Sequence, residues 1–274
     1  MKLIDIKKRI AKSVGNEYDA NRIICYIYGI EKTELPLRLF DDYPESPAEK
    51  EIISRRLSGE PLEYITGSTV FCGLDLVVSK DCLIPQADTE VVAEKAKEYL
   101  RDKSRFADIC TGSGCIAVYL SSSTGAGGIA VDISGAALDI AKKNAQNHSV
   151  SGKIRFEQAD IFDGDAFFGD EKFDVIVSNP PYVKSDVIDT LSDEVKREPR
   201  IALDGGRDGL DFYRAIIKIA PRHLNGGGKL IFEIGYDEAD DVCALLGDAG
   251  FSSSVTKDFG GNDRCVCAAL TEAK

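Results

Sequence analysis

The tetrapeptide Asn179-Pro180-Pro181-Tyr182 combines the residue types best suited to chemistry in this sequence. Pro180 forces Asn179 out of helical geometry, and both prolines have fixed φ angles and no N–H to donate. The result is a stiff turn that presents an amide side chain and backbone carbonyls as acceptors, with the flat ring of Tyr182 beside them. This turn suits a planar –NH2 group, whose two N–H bonds can donate to the Asn179 side-chain oxygen and the Pro180 carbonyl.

Such a pair of acceptors favours the transfer of a methyl group to nitrogen. An amide nitrogen is a poor nucleophile because its lone pair is delocalised, and strong acceptors on its protons return electron density to it. With the nitrogen facing the methyl group of a sulfonium donor, catalysis consists largely of positioning. The sequence offers no evident general base. An ordinary Asn-Pro turn is the alternative interpretation, but the tetrapeptide follows directly on the predicted strand 173–178, which favours a catalytic role.

A second candidate site is the glycine-containing loop of residues 110–114, with the sequence Cys110-Thr111-Gly112-Ser113-Gly114. Its glycines allow a sharp turn and a close approach to a ligand, and the next helix begins there with free N–H groups. Asp132 ends the following predicted strand, where a carboxylate can accept hydrogen bonds from both ribose hydroxyls. We therefore predict a nucleoside-type ligand rather than a plain structural turn. The spacing of Gly112, Gly114 and Ala117 also fits nicotinamide dinucleotides, although such enzymes have no use for the tetrapeptide.

The elements that position these loops alternate between strands and helices from residue 105 onward, which predicts an α/β fold with a mostly parallel sheet. Ligands bind at the carboxyl ends of the strands in such sheets, where both loops fall. The predicted strands are 105–110, 128–133, 154–159, 173–178, 228–234, 251–257 and 264–270, and the predicted helices are 115–121, 134–147, 208–220 and 237–249.

The first part of the chain has a different character. Apolar residues at helical spacing predict a small helical domain over residues 1–68, followed by a short hairpin around Gly73 within a linker of residues 69–82. The remainder, 83–274, is the predicted catalytic domain. It begins with a helix that runs through Leu100, for which Asp88 or Thr89 is the predicted N-cap.

Composition limits the other functions. The net charge of -12 argues against a large nucleic-acid footprint, and we expect no direct nucleic-acid partner. Eight scattered cysteines without a C-x-x-C pair, and only two histidines, argue against a metal site. No apolar run is long enough for a membrane span or a signal peptide, so we expect a cytoplasmic protein without membrane association. We also expect a monomer.

Several segments, taken together, resemble the protein-glutamine N5-methyltransferases of the HemK/PrmC family over nearly the whole chain. They include the tetrapeptide 179–182, the loop 110–114, Gly59–Gly67, Leu83-Ile84-Pro85 with Thr89-Glu90, and Glu198-Pro199 with Gly206-x-x-Gly209-Leu210. The resemblance implies a Rossmann-like class I methyltransferase sheet of seven strands, in which the last two strands form an antiparallel hairpin. It also implies a helical N-terminal domain that helps to grip the substrate protein, and a β-hairpin linker.

The same resemblance implies the reaction and the site. S-adenosylmethionine is the expected cofactor and S-adenosylhomocysteine the product, and the expected acceptor is the glutamine of the Gly-Gly-Gln motif in class I peptide chain release factors. Asp160 and Ile161 are expected at the adenine, and the loop 110–114, Asp132 and Asn179 are the other expected cofactor contacts. The roles implied for the tetrapeptide are catalysis by Asn179, Pro180 and Tyr182, and substrate binding by these three residues and Pro181.

Alternatives stay open on the acceptor. The tetrapeptide is shared with adenine-N6 and cytosine-N4 methyltransferases of nucleic acids, and a sister branch of the family methylates a ribosomal protein. A cofactor-binding module without turnover is the non-enzymatic alternative. Gln86 and Ala87 replace the Arg-Pro that is usual in the family, which bears on substrate and catalytic strength because glutamine cannot make bidentate contacts. The long connection 183–207 fits either a lid or a solvated loop.

Overall fold

The computed structural model describes residues 1–271, which form two compact units. The first unit consists of residues 1–68 together with 193–197, and the second consists of the remaining described residues. Within this described part of the chain, no helix is both long and apolar enough to cross a bilayer.

The first unit is helical, and its buried residues explain why. Leu3, Ile6 and Ile10 line one face of the first helix, and Ile23 and Ile24 of the second helix are likewise fully buried. This spacing is that of amphipathic helices packed on a common core. The helices are α1 (Leu3–Val14), α2 (Glu17–Tyr28), α3 (Leu35–Arg38), α4 (Ala48–Leu57) and α5 (Leu62–Thr66).

A short hairpin follows, formed by β1 (Ser68–Phe71) and β2 (Leu74–Val77). The two residues between the strands, Cys72 and Gly73, have φ angles of 47° and 78°. Two consecutive positive φ angles define the turn type whose twist matches that of a two-stranded ribbon. The predicted hairpin around Gly73 is therefore confirmed.

The second unit is built on a seven-stranded sheet in the order β5-β4-β3-β6-β7-β9-β8. The first five strands of that order are parallel, and β9 runs antiparallel to both β7 and β8. This confirms the predicted α/β fold with its terminal antiparallel hairpin. The strands are β3 (Arg105–Ile109), β4 (Gly127–Asp132), β5 (Ile154–Gln158), β6 (Phe173–Ser178), β7 (Leu224–Glu233), β8 (Phe251–Lys257) and β9 (Asp263–Leu270).

Helices cover the sheet, and the central strands are buried on both faces because of them. They are α6 (Ala87–Lys97), α7 (Cys115–Thr124), α8 (Gly135–Asn147), α9 (Asp211–His223) and α10 (Ala239–Asp248). The connection after β6 contains the 3₁₀ turns Ile188–Thr190, Val195–Arg197 and Arg200–Ala202. Cys265 and Cys267 on β9 lie in the core, as their alternation along a strand predicts.

Two predictions about local structure were wrong. Helix α6 begins at Ala87 after Gln86, and neither Asp88 nor Thr89 is its N-cap. The Thr89 hydroxyl instead accepts a hydrogen bond from Asn179, which is distant in sequence. The position of His223 just before the glycine run 226–228 predicts a surface loop residue, but His223 is buried at the end of α9. Its two ring nitrogens lie 2.9 Å from the Glu171 carbonyl and 2.9 Å from the Asp165 carboxylate, which satisfies them away from water.

Candidate active site

The carboxyl ends of β3, β4, β5 and β6 surround a cavity of about 260 Å³. These four strands are consecutive neighbours in the sheet, so the segments that follow them meet at one edge. Seven of the predicted site residues line the cavity: Cys110, Gly112, Asp132, Asp160, Ile161, Asn179 and Pro181. The other five predicted site residues are not among those that line the cavity: Thr111, Ser113, Gly114, Pro180 and Tyr182. The structure thus brings both predicted loops to one cavity.

Asp132 joins the glycine loop to the end of β4. Its Oδ2 accepts a hydrogen bond from the Gly112 N–H at 2.8 Å, and its Oδ1 accepts one from the Ser134 N–H at 2.9 Å. Burial raises the pKa of this carboxyl, and these backbone donors oppose the rise. A carboxylate has about four acceptor positions, so each oxygen retains capacity for a further donor from a ligand. The site can therefore bind a vicinal diol.

The glycine loop has an unusual backbone. Cys110, Gly112 and Gly114 all have φ angles in the left-handed region, at 60°, 54° and 77°. A cysteine in this region costs free energy, and such outliers cluster at ligand-binding sites. At Gly114, moreover, an added Cβ would lie 2.8 Å from the Cβ of Ala141. Gly114, the second glycine of the loop, is therefore required for close packing of α7 against α8.

Two predicted cofactor residues of this loop have buried side chains. The Thr111 hydroxyl donates to Oδ2 of Asp108 at 2.6 Å, beneath the loop. Asp108 Oδ2 also accepts the Ala117 N–H at 3.1 Å, and burial raises the pKa of Asp108 to about 7. Ser113 contributes its backbone carbonyl, which accepts a hydrogen bond from Asn144 on α8. Thr111 and Ser113 thus support the loop from below, and their side chains do not line the cavity.

Another part of the cavity wall is apolar and aromatic. Asp160 uses one oxygen, Oδ1, to accept the Phe162 N–H at 2.9 Å, and Ile161 between them lines the cavity. The Phe162 and Phe212 rings meet edge to face with centroids 4.9 Å apart, and both rings line the cavity. An apolar slot with one carboxylate at its edge suits a flat heterocycle that carries an exocyclic amine.

The tetrapeptide lies at the end of β6. Asn179 and Pro181 line the cavity, whereas Pro180 is buried behind them. The Asn179 amide nitrogen Nδ2 donates to the Thr89 hydroxyl oxygen at 3.1 Å. The Tyr182 hydroxyl donates to Oε1 of Glu233 at 3.4 Å, so it points into the protein and not into the cavity. Tyr182 therefore braces the turn through its hydroxyl.

Several residues that line the cavity were not predicted from the sequence. Asp81, Cys82 and Leu83 come from the segment before Pro85, and Phe212 comes from α9. Phe162 directly follows the predicted adenine-binding residues Asp160 and Ile161, so its position in the sequence was a signal that could have identified it. No local pattern marks Phe212, because it converges on the cavity only through the packing of α9 against the sheet.

The connection 183–207 contributes Pro199, Ile201 and Ala202 to the cavity wall. It is anchored by Glu198, which accepts the Ile84 N–H at 2.8 Å in a buried hydrogen bond. This part of the connection is a structural wall of the site rather than a solvated loop.

Family models and known relatives match this architecture. Residues 86–235 match the model described as methyltransferase small domain, and residues 3–67 match the PrmC N-terminal domain. A release factor glutamine methyltransferase of Geobacter sulfurreducens is 42% identical over 234 residues, which cover 82% of this chain and 80% of the relative. One from Agrobacterium fabrum is 37% identical and covers 96% of this chain and 94% of the relative. The chain belongs to the release factor glutamine methyltransferase family.

Membership of this family makes the chain a methyltransferase, and solved structures agree at the level of the fold. A methyltransferase from Pyrococcus furiosus superposes with a TM-score of 0.55 at 20% identity, covering 78% of this chain and 95% of that one. A ribosomal protein L11 methylase from Lactobacillus delbrueckii superposes with a TM-score of 0.52 at 19% identity, covering 71% and 84%. The shared element is the methyltransferase sheet.

The start of α6 departs from the Arg-Pro that is usual in the family, because Gln86 is the N-cap of this helix and Ala87 is its first residue. The Gln86 side-chain amide donates to the Ile84 carbonyl at 3.1 Å, so it serves the local turn. An arginine at this N-terminal position would bring positive charge to the positive end of the helix, which is unfavourable by a few tenths of a kcal/mol or more. Glutamine, which is uncharged, avoids that unfavourable interaction.

Proposed function

We propose that this protein methylates the side-chain amide nitrogen of the glutamine in the Gly-Gly-Gln motif of class I peptide chain release factors, with S-adenosylmethionine as the methyl donor. The observation that carries this proposal is that Asn179 lines the same cavity as Asp132 and Asp160. This arrangement supports the proposal, because the turn proposed to bind the amide and the pocket proposed to bind the nucleoside share one cavity. We also propose that the reaction takes place in the cytoplasm.

The residues present fit S-adenosylmethionine. Asp132 would hold the ribose hydroxyls, and Asp160 with Ile161 would hold the adenine against the apolar wall. The loop 110–114 would hold the methionine portion through its backbone. When bound, the cofactor supplies a sulfonium methyl group, and the products are the methylated amide, S-adenosylhomocysteine and a proton.

The substrate amide would be held by the tetrapeptide. Because the Asn179 Nδ2 is engaged with Thr89, its Oδ1 is left to accept one N–H of the substrate. The Pro180 carbonyl would accept the second N–H, and Pro181 would form part of the floor beneath the amide. These acceptors increase the electron density on a delocalised nitrogen and fix its direction, so the chain contributes chiefly positioning and electrostatic stabilisation.

The test is mass spectrometry of a purified class I release factor incubated with this protein and S-adenosylmethionine. We expect one added methyl group on the glutamine of the Gly-Gly-Gln motif, and none on a release factor in which that glutamine is alanine. A ribosomal protein and a DNA or tRNA substrate are assayed in parallel. Methylation of one of these, with the release factor unmodified, would overturn the assignment of the acceptor.

A further inference from the structure

A buried carboxyl group lies directly behind the Asn179 turn. Ser178, the last residue of β6, pairs with Phe232 on β7, and the next residues along the two strands are Asn179 and Glu233. The Glu233 side chain is buried, with only 2% of the residue exposed. Its Oε1 accepts the Tyr182 hydroxyl at 3.4 Å, whereas its Oε2 is buried without a hydrogen-bond partner among the described residues. A buried acceptor without a hydrogen bond destabilises the folded state, so a nearby donor is expected to pair with it.

Thr89 on α6 is the residue that connects this carboxyl to the site. It is almost fully buried, and its hydroxyl oxygen accepts the Asn179 Nδ2 at 3.1 Å. The same hydroxyl lies close enough to Glu233 to favour the ionised carboxylate and so oppose the rise of its pKa, although no hydrogen bond to the unpartnered Oε2 is formed among the described residues. A hydroxyl has one proton to donate, and an ionised carboxylate can only accept. When the Thr89 hydroxyl donates its proton to Glu233, only the lone pairs of the Thr89 oxygen face Asn179. These lone pairs can accept a hydrogen bond from the Asn179 nitrogen Nδ2 but cannot donate one to the oxygen Oδ1.

We propose that ionised Glu233 is a positioning residue that directs the Thr89 hydroxyl toward itself and so fixes the Asn179 amide with its oxygen Oδ1 facing the cavity. The proposal rests on the proposed function, because the orientation matters only if Oδ1 receives a substrate N–H. An asparagine amide has two orientations of nearly equal shape, and only a directional partner distinguishes them. The carboxylate also holds Tyr182, which lies at the other end of the same turn.

The orientation should depend on pH. Burial raises the pKa of Glu233 to about 7, while the hydroxyls of Thr89 and Tyr182 and the charge of Arg264 oppose the rise and Asp88 adds to it. Once protonated, Glu233 can itself donate to the Thr89 oxygen. The Thr89 hydroxyl is then free to donate to the Asn179 oxygen Oδ1, so it no longer favours one orientation of the Asn179 amide. Three other titratable groups interact electrostatically with Glu233: Tyr213 on α9, Cys115 on α7 and Cys265 on β9. Each of them has a raised pKa. These three groups are therefore neutral near pH 7.

The first experiment needs no acceptor protein, so it can fail independently of the proposed function. The side-chain NH2 signal of Asn179 is followed by ¹⁵N–¹H NMR from about pH 5.5 to 8.5, and it is assigned by its loss in Asn179→Ala. We expect the signal to titrate with a midpoint near 7 in the wild type and to lose that titration in Glu233→Gln. An Asn179 signal that titrates in the same way in both proteins would overturn the proposal.

The second experiment measures methyl transfer once an acceptor is established. Thr89→Val and Glu233→Gln should each lower kcat by about tenfold or more with KM and cofactor affinity within about threefold, and Thr89→Ser should restore most of the activity. The acidic limb of the kcat profile near pH 7 should be absent in Glu233→Gln. It should persist in Glu238→Gln, a matched loss of a buried carboxyl with a raised pKa that does not contact Asn179.

Folding of each variant is checked by circular dichroism and by cofactor binding. Wild-type kcat in Thr89→Val, or an unchanged acidic limb in folded Glu233→Gln, would contradict the proposed role. Asp108 also has a pKa of about 7, so the acidic limb by itself does not identify Glu233 and the comparison between variants is decisive.

Discussion

The backbone N–H of Gly112 donates a 2.8 Å hydrogen bond to Oδ2 of Asp132, and this bond links the glycine loop after β3 to the carboxyl end of β4. Asp132 thus has two tasks, because it holds the loop and lines the cavity. Substitution of either residue should therefore alter both ligand binding and the conformation of the glycine loop.

Asp132→Asn should weaken S-adenosylmethionine binding by about 10- to 100-fold, as expected for the loss of a charge-assisted hydrogen bond. The introduced NH2 group would also oppose a backbone N–H donor, either from Gly112 or from Ser134. Isothermal titration calorimetry gives the dissociation constants. Asp139→Asn on α8, which replaces an exposed carboxylate, is the control and should bind normally. Unchanged affinity in Asp132→Asn would remove Asp132 from the proposed site.

Asn179→Ala should lower methyl transfer by about 100-fold or more while cofactor affinity stays within about an order of magnitude. The reason is that the amide oxygen acts on the substrate nitrogen in the transition state and contributes little to ground-state binding of the cofactor. Rates and titration calorimetry on the same preparation separate the two effects. Asn147→Ala, at an exposed position on α8, is the control. Loss of cofactor binding in folded Asn179→Ala would contradict this division of roles.

Gly114→Ala should destabilise the protein by about 2 to 4 kcal/mol, because it combines a left-handed backbone with overpacking. The left-handed φ of 77° is unfavourable for alanine, and its Cβ would lie 2.8 Å from that of Ala141. Gly112→Ala in the same loop shares the left-handed backbone but has no atom within 4 Å of an added Cβ, and it should cost only about 1 kcal/mol. Urea unfolding measures both, and equal losses would show that close packing at Gly114 is unimportant.

Asp108 should make stability fall as pH rises. Burial raises its pKa from 3.8 to about 7, so between these values the folded state binds a proton that the unfolded state releases. The free energy of unfolding then decreases with pH across this window. Relative to the wild type, Asp108→Asn should gain about 1 to 3 kcal/mol in stability between about pH 4.5 and pH 8. Urea unfolding at both pH values checks this, and a constant difference between the two proteins would show that Asp108 does not titrate in the window.

Much of the architecture could be predicted from local pattern. The alternation of apolar strands and amphipathic helices predicted all seven strands of the sheet and the hairpin around Gly73, because hydrophobic periodicity reflects which face of an element is buried. The position of Asp132 at a strand end and of the tetrapeptide after β6 followed from the same elements. The N-cap of α6 and the burial of His223 were predicted wrongly, because in both places a distant partner outweighed the local preference.

The sequence by itself determined the fold class, the family resemblance and the two loops that carry the chemistry, because each depends on residues close together in the chain. Only the tertiary structure decided that Thr89 contacts Asn179, that Glu233 lies unexposed behind them, and that Phe212 and Ile201 form part of the cavity wall. These relationships join segments far apart in sequence. They depend on the order of strands in the sheet and on how α6, α9 and the 183–207 connection pack against it. Neither the strand order nor this packing produces a periodic pattern of residues in the sequence.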